Sequence, residues 1–355
     1  MNWDSKHKKT VYILSAVLMV DFIYLLISGG TDYIERIIIG IAINIILALG
    51  LNLFSGLTGL FSLGHVGFMA LGAYISSILT LPLQTKNANL PDLPGWLAHV
   101  QLPFFPALIL AALVTMGIAF LIGIPLMRLI GPYVSVATMG FLVITQVVLT
   151  NWDTFTRGAR TFAGVPAYTS WWNAWLWALF VLYVVLRLKF SSFGRSMRAS
   201  RDNTIAAESI GIPIVQSRLL AFCISAFITA IGGALWAHFI RAFSPKSFYF
   251  AQTFSVITMV IIGGLGSVRG SLAGVVFVTV ISEILRNLER GITLGVITIP
   301  PMYGSSQVIM ALILILMIVF KPTGFFGETE WKARDVIRFF KGFFSIISKG
   351  NNGGH

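Results

Sequence analysis

The sequence has few charged residues and almost no cysteine. Only 11% of the 355 residues are charged, whereas 56% are hydrophobic. Soluble globular domains carry about 25% charged residues, so this composition excludes a soluble chain and indicates a membrane protein. The one cysteine, Cys223, excludes a disulfide within the chain, and its apolar neighbours predict a buried thiol.

Nucleotide-binding, metal-binding and catalytic sequence motifs are also absent. The chain has no Gly-x-x-x-x-Gly-Lys-Ser/Thr phosphate loop, no His, Cys and carboxylate residues at metal-ligand spacing, and no nucleophile elbow. We therefore predict that the chain is not an enzyme and binds no metal or cofactor of its own. The net charge of +12 is a feature of many nucleic-acid-binding proteins. Its distribution instead follows a membrane topology, so we predict no nucleic-acid partner.

Apolar segments make up most of the chain. Most reach the ~20 residues needed to cross ~30 Å of hydrocarbon, and the shorter ones adjoin glycine clusters, where neighbours can bury a broken helix. The first segment carries Asp21 and lacks a small-x-small cleavage site, which favours an uncleaved span over a signal peptide. We predict an all-α integral membrane protein with about ten transmembrane helices, at residues 11–29, 36–54, 60–83, 104–129, 132–150, 172–190, 217–240, 247–263, 271–287 and 305–320.

The distribution of Lys and Arg predicts the orientation. If the N-terminus is cytoplasmic and the chain crosses ten times, most of the 25 Lys and Arg residues fall on the cytoplasmic side, as the positive-inside rule requires. This orientation places both termini and the polar loop 191–216 in the cytoplasm. Loops 84–103 and 151–171 then face outward, where they are either a landing surface for an external binding protein or plain connectors.

The loop 191–216 is the longest polar interruption between apolar segments. Asp202 and Asn203 are good N-cap residues, Gly211 suits a left-handed C-cap, and Pro213 cannot continue a helix. This pattern predicts a short helix of about two turns outside the bilayer, whose small residues could fit a groove of another protein. On charge alone, a solvated loop is the alternative. The candidate contact residues are Arg201, Asp202, Ala206, Ala207, Glu208 and Gly211.

Glycine is dense from residue 50 to residue 72, across two consecutive apolar segments. Such glycines either let helices pack closely or mark unwound backbone along a substrate path. His65 lies within this run, and an ionisable group at membrane depth is a functional candidate, although it can simply be hydrogen-bonded inside the bundle. Hydroxyl residues after position 132 either face the path or bond to their own helix. The path candidates are Ser62, Leu63, Gly64, His65, Phe68, Tyr133, Ser135 and Thr138.

Three patterns near the C-terminal end complete the prediction. Gly263 to Gly274 has the spacing of a close helix crossing. Glu283 and Arg286, at i and i+3, predict an ion pair. After a transmembrane domain at 1–325, residues 326–355 predict a cytoplasmic amphipathic tail, with a helix at about 330–347 whose phenylalanine face contacts either membrane lipid or a partner subunit.

Several of these stretches together resemble one family. The order Ala-Ala-Glu-x-x-Gly at 206–211 is similar to the coupling loop of ABC importer permeases. Residues 50–65, 133–141 and 262–270 resemble signatures of the branched-chain amino acid permeases of the LivM type. One stretch departs from the family pattern: Thr-x-Gly-Pro-Asn-Gly is replaced at 156–161 by a sequence with two arginines, Arg157 and Arg160.

The resemblance implies a type II ABC importer-like permease with broken, glycine-rich helices in a bacterial or archaeal plasma membrane. It implies a homologous second permease subunit, two ATPase subunits that bind the ATP, and an external substrate-binding protein. It also favours the path role for the residues around His65 and the ATPase-coupling role for loop 191–216. The implied solutes are leucine, isoleucine and valine or relatives such as other amino acids, amides or urea, with sugars as the alternative. A self-sufficient secondary transporter is less favoured, because Asp21 is the one carboxylate in mid-span.

Overall fold

The computed structural model describes residues 32–289, 292–294, 297–299, 304–321, 323–325 and 327. The predicted first span at 11–29 and the predicted tail helix at 330–347 lie outside these residues. The described helices are α1 (Asp32–Thr58), α2 (His65–Thr80), α3 (Leu83–Asn89), α4 (Gly95–Ala98), α5 (Phe104–Leu126), α6 (Pro132–Asn151), α7 (Asp153–Thr156), α8 (Trp171–Phe190), α9 (Ser192–Asp202), α10 (Thr204–Ser209), α11 (Ile214–Ile240), α12 (Phe250–Gly263), α13 (Val268–Glu289) and α14 (Ser305–Phe320).

Short strands form two small antiparallel pairs. β1 (Phe162–Ala163) pairs with β2 (Ala242–Phe243), so that Phe162 lies opposite Phe243. β3 (Ile292–Leu294) pairs with β4 (Ile297–Ile299). The chain is otherwise helical in the ranges given above, as predicted for an all-α membrane protein.

Seven of the described helices are long and apolar enough to cross a membrane: α1, α5, α6, α8, α11, α12 with the 3-10 turn before it, and α13. Two further apolar helices, α2 and α14, have only 16 residues each. These nine helices coincide with nine of the predicted segments, and the tenth is the segment 11–29. Helix α2 can be short because 14 of its 16 residues are buried by neighbouring helices rather than by lipid.

Helix α11 is the central helix and packs against α1, α2 and α5. A Cβ atom added to Gly72 of α2 would lie 2.3 Å from the carbonyl oxygen of Ala230, and one added to Gly233 of α11 would lie 2.0 Å from that of Met69. Small residues at such crossings let two helix backbones approach closely in membranes. Gly72 therefore has the packing role, one of the two roles predicted for the glycine run.

Helices α12 and α13 form the second close crossing. A Cβ atom added to Gly263 or to Gly274 would lie 2.0 Å from a carbonyl oxygen of the other helix, that of Gly270 or of Met259. The crossing predicted from these glycines is confirmed. Towards the end of α13, Arg286 Nη2 lies 2.6 Å from Glu283 Oε1, which confirms the predicted ion pair.

The loops gather at two opposite ends of the bundle. At one end, the segment 59–64 contacts α6, and the segment 264–267 contacts α1. At the other end, Asn89 Nδ2 donates to the carbonyl oxygen of Ala163, and β1 pairs with β2. The helices thus alternate in direction as the topology requires. The distribution of Lys and Arg predicts that the first end, which also carries α9 and α10, is cytoplasmic.

Candidate functional site

Helix α10 is the short helix predicted in the polar loop. Asn203 caps its N-terminus, and its Oδ1 accepts a hydrogen bond from the backbone N–H of Ala206 at 3.0 Å. Gly211 has φ +81°, the left-handed conformation that glycine adopts most easily. The N–H of Gly211 donates to Glu208 and that of Ile212 donates to Ala207, which is the Schellman pattern of a closed helix end. Both ends of α10 are therefore fixed by local hydrogen bonds.

The rest of loop 191–216 is more ordered than the sequence indicated. Residues 192–202 form a second helix in this loop, α9, which the sequence pattern did not predict. Ser191 Oγ caps this helix by accepting from the N–H of Gly194 at 3.2 Å. Arg195 and Arg198 donate to the carbonyl oxygens of Phe190 and Lys189, at the C-terminal end of α8. The cationic side chains thus stabilise the end of a transmembrane helix, a role that charge content alone does not reveal.

The coupling candidates occupy different faces of α10. Ala207 is buried against the bundle, whereas Ala206, Glu208 and Gly211 are exposed. Two residues outside the prediction, Ile205 and Ile210, are 78% and 74% exposed. Single exposed apolar residues are common on protein surfaces, but Ile205 on the helix and Ile210 at its C-cap are two apolar side chains that a protein partner can cover. Both positions were visible in the sequence as isoleucines flanking Ala-Ala-Glu-Ser.

Arg201 joins α9 to the end of α1. Its Nη1 donates to the carbonyl oxygen of Gly56 at 2.9 Å, and its Nε donates to Asp202 at 3.2 Å. A Cβ atom on Gly59, which has φ +72°, would lie 2.5 Å from Cγ of Arg201. The arginine stem therefore packs on the point where α1 ends and the non-helical segment 59–64 begins. A displacement of α9 and α10 would reach that segment directly.

The segment 264–267 is held at the same end of the bundle. Asn52 of α1 donates from Nδ2 to the carbonyl oxygen of Ser267 and accepts at Oδ1 from the N–H of Gly266, at 2.9 and 2.7 Å. Lys189 Nζ also donates to the carbonyl oxygen of Gly266. The helix break 264–267 is therefore attached to α1 and to the end of α8, and the helix break 59–64 packs against Arg201 of α9.

Most of the predicted path residues come together where α2 meets α6. The N–H of Leu63 donates to Thr138 Oγ1 at 3.1 Å, and Ser135 Oγ donates to the carbonyl oxygen of Phe61 at 2.7 Å. A Cβ atom on Gly64 would lie 2.3 Å from the carbonyl oxygen of Thr138. Tyr133 does not join this cluster, because its side chain is 72% exposed on the surface of α6.

His65 is buried within this cluster. Its Nδ1 lies 2.8 Å from Ser62 Oγ and its Nε2 lies 2.9 Å from Ser225 Oγ of α11. The rings of Phe54, Phe68 and Phe222 surround the imidazole at centroid distances of 5.6 to 6.1 Å. Both ring nitrogens are thus paired in this conformation, and the imidazole ties α2 to α11. A role in solute passage stays a prediction for Ser62, Leu63, Gly64, His65, Phe68, Tyr133, Ser135 and Thr138.

The opposite end of the bundle carries the two predicted external loops. Lys86 is buried there, and its Nζ donates to the carbonyl oxygens of Leu97 and Val100 at 3.3 and 2.5 Å. Burial lowers the pKa of Lys86 from its ordinary value. Of the two arginines that depart from the family pattern, Arg157 adopts φ 61° and donates to the carbonyl oxygen of Thr161, and Arg160 is exposed.

Comparison with known proteins gives consistent matches along the chain. LivM of Salmonella typhimurium, a high-affinity branched-chain amino acid transport permease, is 28% identical over 91% of this chain and 76% of its own length. LivH of Escherichia coli, a permease protein of the same type of system, is 22% identical over 80% of this chain and 91% of its own length. The L-arabinose permease AraH of Escherichia coli is 26% identical over 47% of each chain.

No solved structure matches this chain significantly. The family described as branched-chain amino acid transport system, permease component, matches residues 33–320, which include every membrane helix described above. With its seven helices long enough to cross a bilayer, the chain is a multi-pass membrane protein that belongs to the branched-chain amino acid transport permease family.

Proposed function

We propose that the chain is one permease subunit of an ABC importer that moves branched-chain or related amino acids into the cell. Family membership and the LivM and LivH relatives support this function. The chain would pair with a homologous second permease, two ATPase subunits would bind and hydrolyse the ATP, and an external binding protein would deliver the solute. Both termini and α10 would lie in the cytoplasm.

The observation that carries this proposal is the attachment of α10 to the helix breaks. Helix α10 is capped at both ends, exposes Ile205 and the adjoining Ile210, and follows Arg201, which bonds to Gly56 at the end of α1. An ATPase that binds α10 and displaces it would therefore move the end of α1 and the adjoining segment 59–64. Closure and opening of the ATPase dimer would then drive alternating access of the bundle.

The first experiment tests transport. The four-subunit complex in proteoliposomes, with the binding protein outside and ATP inside, should accumulate labelled L-leucine, whereas this chain alone should not. Urea and L-arabinose serve as competing solutes, because the family resemblance and the AraH match raise those alternatives. Accumulation of L-leucine by this chain alone would contradict the proposal. Accumulation of L-arabinose but not of L-leucine would show that the solute is a sugar rather than an amino acid.

The second experiment tests whether the ATPases bind α10. Gly211→Val forces a branched side chain into a left-handed conformation, at a cost of about 1–2 kcal/mol, and Glu208→Lys inverts a surface charge. Both should reduce copurification of the ATPases and ATP-dependent uptake. Gly304→Val is the matched control, because Gly304 also has φ near +85° and open space around it but lies at the start of α14, far along the chain from α10. Equal losses in all three variants would contradict the assignment of α10.

A further inference from the structure

One side of the first half of α1 carries polar and small residues and faces away from the bundle. Arg36 is exposed there, and Gly40 and Asn44 are half-buried at the same helical spacing. A Cβ atom added to Gly40 would meet no atom of the described residues within 4 Å. We call this side the open face of α1. Arginine and asparagine are costly in lipid and in membrane proteins usually face protein or water, so the open face is suited to a protein neighbour.

Helix α13 adds hydrogen-bond donors and an apolar wall beside the open face. Asn44 Nδ2 donates to Thr279 Oγ1 at 3.3 Å. An asparagine amide has two N–H donors and a threonine hydroxyl can donate as well as accept, so among the described residues this pair keeps hydrogens for an acceptor on a third helix. Next to Thr279, α13 exposes Val276, Val280 and Ile284 at helical spacing. The surface therefore fits a mostly apolar helix that carries one acceptor.

The sequence places one helix within reach of the open face. The predicted first span, 11–29, ends three residues before Asp32, where α1 begins. Three residues of extended chain reach at most about 11 Å, close to the 8–10 Å that separates the axes of packed helices. Helices joined by so short a loop form an antiparallel hairpin. The other sides of α1 pack against α8, α11, α12 and α13, so the open face is the side that remains for the span.

The positions along the two helices bring the carboxylate of the first span to the open face. Asp21 is eight residues before the end of the span, and Gly40 is eight residues after the start of α1. At 1.5 Å per residue, both lie about 12 Å from the connection. Each Cβ points towards the N-terminus of its own helix, so in an antiparallel pair the side chains of Asp21 and Asn44 point towards each other. The space at Gly40 allows the close approach that this contact needs.

We propose that the first span packs antiparallel on the open face of α1 and that Asp21 is the positioning residue of this contact. The Asp21 carboxylate accepts hydrogen bonds from Asn44 Nδ2 and from the Thr279 hydroxyl. The guanidinium of Arg36, which is about 6 Å from Gly40 along α1, supplies the opposite charge. A carboxylate at membrane depth is thereby paired within the protein, as such groups usually are. Asp21 then serves the assembly of the subunit.

Crosslinking tests the position of the span. The one native cysteine, Cys223, is replaced by alanine, and pairs of cysteines are introduced into the full-length chain in membrane vesicles. Leu25→Cys with Ile37→Cys should react with a short bifunctional thiol reagent, because the two positions lie at similar depth on facing sides. Ile23→Cys with Ile37→Cys is the matched control, since residue 23 lies at similar depth on the other side of the span.

The loss of both thiols to later maleimide labelling measures the yield within one chain, and a dimer band measures crosslinks between chains. The pair at 25 and 37 should give the higher yield within one chain. Equal yields of the two pairs would mean that lipid covers the open face, and a crosslink between chains would mean that a second copy does. Either result would overturn the proposal.

Variants of the polar pair test the role of Asp21. Asp21→Ala or Asn44→Ala should lower the midpoint of thermal unfolding by several degrees, because each leaves one group of the pair without its partner. The double variant should lower the midpoint no further, since the same contact is already lost. Asp21→Asn keeps an acceptor and should retain most of the stability. Strictly additive losses, or no rescue by Asp21→Asn, would overturn the contact between the two residues.

A larger side chain at Gly40 tests the contact without any crosslink. Gly40→Leu fills the space that the span needs and should lower the unfolding midpoint of the full-length chain. Gly117→Leu in α5 is the matched control, because a Cβ atom at Gly117 also meets no described atom within 4 Å. Equal stability of the two variants would overturn the docking of the span. The chain is measured without partner subunits, so this outcome does not depend on the proposed importer.

Discussion

Helices α2 and α14 have the same length, but α2 is buried inside the bundle and α14 lies on its surface. Each has 16 residues, yet 14 residues of α2 are buried and none of α14 is. Helix α2 contains His65, Tyr74 and three further hydroxyl residues, whereas α14 is apolar after Gln307. Lipid tails are as apolar as leucine, so helices in a membrane are sorted by polar groups and close contact rather than by hydrophobicity. The more polar helix therefore occupies the centre.

The largest expected difference between the two helices concerns close contact. Gly72→Leu would place a side chain where even a Cβ atom lies 2.3 Å from the carbonyl oxygen of Ala230, so we expect a loss of about 3 kcal/mol or more and little folded protein. Ala311→Leu on exposed α14 should leave stability unchanged. Size-exclusion profiles and thermal unfolding in detergent measure both. A well-folded Gly72→Leu protein would contradict the close crossing of α2 and α11.

A smaller difference is expected for hydrogen bonding. His65→Ala leaves the hydroxyls of Ser62 and Ser225 without their ring partner, which should cost about 2 kcal/mol. Gln307→Ala on the exposed face of α14 should cost almost nothing. Thermal unfolding of His65→Ala, Ser225→Ala and the double variant gives the coupling energy of the pair. Strictly additive losses would show that His65 does not bridge α2 and α11.

If His65 also serves the solute path, transport should fall further than stability explains. Uptake is therefore measured on equal amounts of folded His65→Ala and of a variant of similar stability that lies away from the path, such as Val181→Ala, which is buried in α8. A lower uptake in His65→Ala alone supports the path role, and equal uptake in the two variants limits His65 to packing.

The smallest expected effect concerns the loop that follows α2. Because burial lowers the pKa of Lys86, the folded protein loses this proton at a lower pH than the unfolded chain does. Between the two pKa values the unfolded state binds more protons, so the contribution of Lys86 to stability rises with pH in that window. Wild type should therefore gain stability relative to Lys86→Met as the pH rises towards the ordinary lysine value. If the stability difference between wild type and Lys86→Met stays constant over this pH range, burial does not lower the pKa of Lys86.

The sequence was sufficient for the positions of the nine described apolar helices and for the caps of α10. Apolar length predicts a span wherever it occurs, and Asn203, Gly211 and Pro213 act through their own backbone geometry. It was not sufficient to predict that α2 is buried and α14 exposed, since a hydropathy pattern does not predict the close contact between Gly72 and α11. Nor did it reveal α9, whose arginines bond to α8, or the exposure of Ile205 and Ile210. Those features depend on neighbours that are distant along the chain.

The candidate site shows the same division. The path residues from Ser62 to Phe68 and the residues Ser135 and Thr138 were selected from separate stretches, and hydrogen bonds between the segment 59–64 and α6 bring them together. Tyr133 was selected from the same pattern of hydroxyl groups but lies on the outer surface of α6. A helix of the sequence 133–141 has several faces, and only the position of its neighbour decides which face meets the cluster.

The burial of α2 also has a consequence for the order of membrane insertion. A 16-residue helix with a histidine at its start and hydroxyls near its end is poorly suited to lipid on its own. Its main partner, α11, is synthesised well over a hundred residues later. We expect nascent α2 to remain beside the insertion machinery, shielded from lipid, until α11 emerges and accepts it. This delay can be measured by crosslinking α2 in stalled nascent chains. In chains that end before α11, α2 should crosslink to the insertion machinery, and in chains that end after α11 it should not.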